Sequence, residues 1–487
     1  MQCSLQVGDV NAYFTGKGGS QEIGPGVTNG GTGLTITSIL ADHIAGTRPG
    51  DLPPSASEMA KRVLLDETGV MIGASGLAPE ARPFVEMARS GGEGPARILG
   101  TPYEVTAPSA AFANGAFAHA LDFEDAFELS PGHPNASLVP ALLALAQAHG
   151  PVDGPRFLTA LAVGCDIACR MALALDRPME AGGWYPPPIL AGFGAVAGAA
   201  NLMGLDATAT RNAISLMMCQ TTMPGEIKYA SGSDLRAVRE AFPAQAAVIS
   251  ALLAKQGVTG FEQPLEGPAG FYALYADGQF DPSRLTDRLG EKYWIEELTF
   301  KPWPSCRGTH AFIEMIFDLQ QSHGFAVEDL EKIVCHTDSV HQMLFEPESV
   351  RRQPSTAIEA KFSIPFCVAL ALVRKRVTLD DFAPVDLADP QLLSMGRKVH
   401  NDPVQTHPWD AGRGGGLTLQ LASGRILSAE IRHALGSPEN PLSKASLVDK
   451  FVMCAGKAAD PIGETDARNL AARILALETC EDVGALF

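Results

Sequence analysis

The run HALDFEDAFELSPGHPNASLVPALLALAQ, His119 to Gln147, constrains the fold of this chain more than any other stretch. It places His119, Asp122, Glu124, Asp125 and His133 in close succession and surrounds them with Leu, Phe, Ala and Pro. Desolvated acids and imidazoles are costly unless they are paired or used. A fold that buries this run must therefore bring partners to it from elsewhere. A second segment, FKPWPSCRGTH from Phe300 to His310, has the same character, with Lys301, Cys306 and His310 set among aromatics and prolines. Together they point to one active site assembled from distant parts of the chain.

Composition narrows the class. At 487 residues the chain is long for one core, so two domains are expected. Hydrophobic residues at 46% and charged residues at 19% describe a globular protein, not a disordered one. The net charge of −18 argues against nucleic acid or an anionic membrane as partners. An anionic substrate would need a local basic cluster working against that field. The start, MQCSLQVGDV, lacks the basic and apolar regions of a secretory signal. The longest uncharged apolar run, Ile189 to Leu205, is 17 residues rich in Gly and Ala, shorter than the roughly 20 of a membrane span, and reads as a buried helix. Nine cysteines, with only a CxxxC pair at Cys165 and Cys169, read as reduced thiols in a cytoplasmic protein.

Residues 1–33 are Gly-rich without helical period and read as a flexible tail. Helical patterns then dominate. Ser55 and Glu58 have capping-box spacing just after Pro53-Pro54. Periodic stretches follow at Ser137–His149, Arg156–Leu175, Ile189–Met203, Thr208–Cys219 and Ala237–Lys255. Near Thr299 the pattern changes. Lys332–Thr337 reads as a strand. Leu417, Leu419 and Leu421 alternate with polar residues, Ser423-Gly424 makes a turn, and Arg425–Ile431 reads as a returning strand. Helices are expected between them at His310–Ser322 and Ile358–Leu372, and again from Leu447 to the end. GFGAVAG, with Gly192, Gly194 and Gly198, mimics a dinucleotide fingerprint. No strand precedes it and its third glycine is one residue late, so close helix packing is the better reading.

The chain resembles the MmgE/PrpD family, which includes 2-methylcitrate dehydratases, cis-aconitate decarboxylases and iminodisuccinate epimerase. The motifs that carry the likeness are the two segments above, ASEMAKRVLLDETGVMIGA, GWYPPPILAGFGAVAGAANLMGLD, IEAKFSIPFCVAL and SPENPLSKASLVDKFVMCAG, in the family's order over roughly residues 34–487. The resemblance implies a mostly α protein: a large all-helical domain (34–296 and, on return, 438–487) with an inserted α+β lid domain (297–437). It also implies a homodimer that needs no cofactor.

By the same resemblance Asp122 and His133 line the active site, Lys301 is its active-site lysine, and His310 orients the lid loop or touches substrate. A histidine beside a carboxylate can exchange protons near neutral pH, and an ammonium can bind a substrate carboxylate. Cys306 is read as packing. The spacing of His119, Asp122, Asp125 and His133 admits metal ligation, but no strong zinc pattern is present and the reading takes no metal. The departures are Tyr185 for a catalytic histidine, Arg236 for a lysine and Phe366 for a tyrosine. The expectation is a lyase that abstracts a proton beside a carboxylate of a small di- or tricarboxylic acid and loses water. Asp122, His133, Tyr185 and Lys301 would be catalytic, and Arg236, His310 and Phe366 would bind substrate. Decarboxylation or epimerisation through the same carbanion is the alternative, and a chain that only binds a carboxylate or serves as a partner subunit is the rival.

Overall fold

The computed structural model describes residues 35–130, 132–230, 232–404 and 412–487, so the tail expected at 1–33 lies outside the described residues. Alanine- and leucine-rich stretches form a body of buried helices: α1 (Ile36–Gly46), α2 (Pro54–Leu77), α3 (Ala107–Ala120), α4 (Asn135–His149), α5 (Gly154–Leu173), α6 (Pro186–Leu202), α7 (Ala207–Met218) and α8 (Ala241–Lys255). Helix α6 lies at the centre of this body, against α4, α5, α7 and α8, while α3 packs on α4 and α8. Small residues set its closest approach. A Cβ on Gly194 would stand 2.6 Å from the Gly164 carbonyl oxygen and 2.7 Å from the Ala168 Cβ. GFGAVAG is thus a helix crossing. The stretch Leu235–Lys255 is long and apolar enough to cross a membrane by length and composition, yet 72% of its apolar window is buried inside the protein, as in a core helix.

A short antiparallel pair, β1 (Ala126–Phe127) with β2 (Leu298–Thr299), ties the His119–Gln147 run to the second segment. Beyond it lie α9 (His310–His323), α10 (Ile364–Arg374) and a four-stranded sheet. Its strands are β3 (Leu330–Thr337), β4 (Val399–Pro403), β5 (Gly415–Leu421) and β6 (Ile426–Ile431), in the order β4-β3-β5-β6. β3 runs parallel to β4 and antiparallel to β5, which forms the expected hairpin with β6. Leu417, Leu419 and Leu421 turn to the buried face, where α9 packs. The chain then returns: α11 (Lys444–Ala455) packs on α2, and α12 (Glu464–Leu475) on α11.

Three local expectations change. Ser55 does not cap α2; Pro53 holds that position and Pro54 starts the helix with its φ preset, while Glu58 pairs with Lys61 at 2.7 Å. Ile358–Leu372 is two helices, not one. Ser363 caps the second by accepting from the Phe366 amide, and Pro365 cannot continue the first. That break aims Lys361 and Phe362 at the site. Strand β4, polar along most of its length, carries too little alternation to be read from sequence.

Gly194→Val should lower stability by about 1–3 kcal/mol or more through overpacking, read as a fall in the thermal unfolding midpoint. Gly46→Ala, where a Cβ meets nothing within 4 Å, is the control. An unchanged midpoint for Gly194→Val would contradict the crossing.

Candidate active site

Helix α3 ends at Ala120, and the chain turns sharply at Asp122, whose φ of 48° is left-handed. The turn presents three successive carbonyls, and each receives a buried lysine from a distant segment. Lys361 Nζ donates to the Leu121 oxygen at 2.6 Å, Lys301 Nζ to that of Asp122 at 3.0 Å, and Lys450 Nζ to that of Phe123 at 2.5 Å. Lys450 also pairs with Asp66 on α2 at 2.6 Å. The lysines hold the start of this loop from three sides.

The side chains of the loop pair with the same groups. Lys301, wholly buried, donates to Asp122 Oδ1 at 2.7 Å and lies 3.9 Å from Glu124. Burial alone would lower the lysine pKa, but Asp122 and Glu124 outweigh it and hold the ammonium charged. Burial works against the Glu124 carboxylate as well, yet His119, Lys301 and His133 hold it well below the usual range. His119 gives its Nδ1–H to Glu124 and accepts at Nε2 from the Arg239 guanidinium. Burial and that guanidinium depress His119 to about 3, so it is a neutral spacer.

His133 is not held by Asp122. Its Nδ1 donates to the Asp125 carbonyl at 2.9 Å and lies 2.9 Å from Glu124 Oε1. Asp122 is taken by Lys301, so Glu124 rather than Asp122 faces the imidazole. The arrangement leaves Nε2 of His133 without a protein partner among the described residues, free to take a proton.

His133, Lys301, Asp122 and Tyr185 line one cavity of about 430 Å³, within the usual range for small-molecule sites. Its walls carry four cations, Lys228, Lys301, Arg307 and Arg413, against the carboxylates of Asp122, Glu128 and Glu180. Each cation is ion-paired, Lys228 with Glu180, Lys301 with Asp122, and Arg307 and Arg413 with Glu128, so the wall carries a small excess of positive charge in a chain of net charge −18. Cys306 is also in the wall, and burial pushes its thiol up to about 11, so it is no thiolate.

Three expected substrate-binding residues, His310, Phe366 and Arg236, do not line this cavity. His310 is wholly buried, with Nε2 donating to the Ser305 carbonyl at 3.1 Å and Nδ1 accepting from Arg307 at 3.2 Å. Burial and Arg307 keep it neutral, and it positions Arg307 instead of touching the cavity. Phe366 packs in the core against Phe382, and Phe362 stands in the cavity wall in its place. Arg236 stacks on Phe362 at 3.8 Å and faces a smaller adjoining pocket.

Sequence reasoning missed Arg307 and Arg413, both bonded to Glu128. It also missed His341, whose Nδ1 meets Asp338 at 3.0 Å while its Nε2 is buried without a partner among the described residues. The DSVH spacing that caps a 3-10 turn was the available signal.

Ligand atoms of His119, Asp122, Glu124 and His133 come within 4.8 Å of one another. As a metal site the donor set fits poorly. Lys301 already supplies the cation between Asp122 and Glu124, and both His119 nitrogens are engaged.

Behind the loop, burial and Asp66 push Asp125 up to about 7. Its unfolded value is near 3.9. Between those values the folded chain keeps a proton that the unfolded chain has lost. The stability from this group is full below about pH 4 and lost as pH rises through about 7. Asp125→Asn removes the titration, so its unfolding midpoint should gain on wild type from pH 5 to pH 8. A constant gap would contradict this.

The MmgE/PrpD N-terminal domain matches residues 38–283, and the MmgE/PrpD C-terminal domain matches residues 303–475. The chain is 25% identical over 477 residues to the cis-aconitate decarboxylase-like protein oryM of Aspergillus oryzae, covering 93% of this chain and 96% of that one. It is 25% identical over 443 residues to cis-aconitate decarboxylase of Homo sapiens, covering 87% and 88%. It is 24% identical over 378 residues to 2-methylcitrate dehydratase of Escherichia coli, covering 73% and 76%.

Proposed function

The chain belongs to the MmgE/PrpD family, and from that premise we propose that it is a lyase acting on a small di- or tricarboxylic acid through a carbanion formed beside a carboxylate. The observation that carries the reading is His133, held through Nδ1 with Nε2 free, in a cavity shared with buried Lys301 and three further cations. His133 takes the α-proton. The imidazolium formed is met by Glu124, 2.9 Å from Nδ1. The negative charge moves onto the substrate carboxylate, where fixed cations stabilise it more than the ground state.

Two N–H groups of Lys301 are engaged by Asp122, which leaves the third for a substrate oxygen. Tyr185 donates a proton to the departing hydroxyl, giving net loss of water, as in the 2-methylcitrate dehydratase relative. Loss of carbon dioxide is the second reading, favoured by the fuller coverage of the cis-aconitate decarboxylase relatives. Segment 297–437 supplies Lys301, Arg307, His341 and Arg413 to the cavity, which supports its reading as a lid over the helical body. We place the enzyme in the cytoplasm as a homodimer without cofactor. The eight free cysteines among the described residues are compatible with a reducing compartment.

The test is incubation with citrate-like and aconitate-like acids in deuterium oxide, followed by NMR. Wild type should lose water or carbon dioxide from one acid and exchange its α-proton. His133→Ala should lose both by about a hundredfold to ten-thousandfold. Tyr185→Phe should slow water loss while leaving exchange in place. No turnover and no exchange across the panel would favour a chain that only binds, and full exchange in His133→Ala would reassign the base.

A further inference from the structure

Next to the main cavity lies a smaller pocket of about 80 Å³, joined to it through Lys228 and Phe362, which line both. Two arginines face it. Arg236 is 93% buried and presses its guanidinium on the Phe362 ring at 3.8 Å, and its Nε and Nη2 are buried with no hydrogen-bond partner among the described residues. Arg351 is 5% exposed and anchored through Nε to the carbonyls of Met343 and Glu346, at 3.0 and 3.2 Å. Among the described residues neither guanidinium makes an ion pair. The carboxylate in this wall, Glu359, is engaged by the Gly232 amide and by the Ser355 amide and hydroxyl. Burial lowers the Arg351 pKa, and the charge of Arg236 lowers it further. Glu359 pulls the Arg351 pKa back up only in part, and two buried cations that repel each other with one shared acid nearby are costly. Such an arrangement persists where a ligand supplies the missing anion.

We propose that Arg236 and Arg351 form an anion subsite that holds a substrate carboxylate remote from the reacting carbon. The substrate's carbon chain crosses the Phe362 face, with its reacting end at His133 and Lys301 and its far carboxylate between the two guanidinium forks. A planar fork suits a carboxylate in two-point contact, which gives Arg236 a role distinct from the Lys301 ammonium. The subsite rests on the carboxylic acid reading above and adds a length requirement to it: a di- or tricarboxylate must span both pockets.

The test is a binding cycle that needs no turnover. The probes are propane-1,2,3-tricarboxylate, which has nothing to eliminate, its terminal monoamide, and inorganic phosphate. Each is titrated by calorimetry into wild type, Arg351→Met, Arg351→Lys and Arg236→Met. Wild type should prefer the tricarboxylate over the monoamide about tenfold or more. In Arg351→Met and Arg236→Met the preference should fall below about threefold, with Arg351→Lys between. Without ligand, Arg236→Met should unfold at or above the wild-type midpoint, because it removes an unpaired buried charge; this shows that lost binding is not lost folding. An equal preference in wild type and both Met variants overturns the subsite while leaving the substrate class standing. Phosphate binding that depends on Arg351, with tricarboxylate binding that does not, also overturns it and makes the pocket a site for a separate anion. Failure of wild type to bind the tricarboxylate removes the substrate class and the subsite with it.

Discussion

Three ammonium groups on three successive carbonyls hold this molecule's site together. Lys361, Lys301 and Lys450 come from segments that share no local structure, yet each donates to one residue of Leu121-Asp122-Phe123. A turn with a left-handed residue at its centre fans these carbonyls outward, and no regular backbone partner can reach all of them. Lysine suits the task because one compact head has three donors on a long apolar stem. Burying such charges is expensive, and for two of them the cost is offset by nearby acids, Asp122 with Glu124 for Lys301 and Asp66 for Lys450. Lys361 makes no ion pair among the described residues, and burial lowers it to about 8.

The rest of the site follows from this grip. With Leu121 to Phe123 fixed, Glu124 lies between His119, Lys301 and His133, and the Asp125 carbonyl sets the His133 ring. The β1–β2 pairing then brings the loop against the segment that carries Lys301 and Arg307. His133 comes from the helical body, while much of the cationic wall comes from the sheet-bearing half. A substrate that contacts both would bind where they meet, a common place for small-molecule sites.

Much of this was legible in the residues. The apolar runs became helices close to their expected bounds, because 3.6-residue periodicity and buried Ala and Leu survive any tertiary arrangement. The need for distant partners followed from acids and imidazoles in an apolar run, and Lys301 proved to be one of those partners. What could not be read was which donor meets which acceptor. Asp122 and Glu124 are both carboxylates near His133, and only the turn at φ 48° decides that the first takes Lys301 and the second faces the imidazole. Lys361 and Lys450 lay within quoted motifs, in IEAKFSIP and VDKF, yet nothing in a sequence marks a lysine as bound for a carbonyl 240 or 327 residues away. Arg307, Arg413 and Arg351 were missed for the same reason, since a surface arginine and a cavity arginine look alike in sequence.

The grip itself can be measured without any substrate. Lys361 bonds Leu121 and leaves no acid unpaired when removed, so Lys361→Met loosens one of the three holds with little else disturbed. Native-state amide hydrogen exchange in this variant reports the outcome. Amides from Asp122 to Asp125 should lose protection by about tenfold or more while those of α2 keep theirs. Unchanged protection at Asp122 to Asp125 would contradict the claim that the lysines hold the site in place.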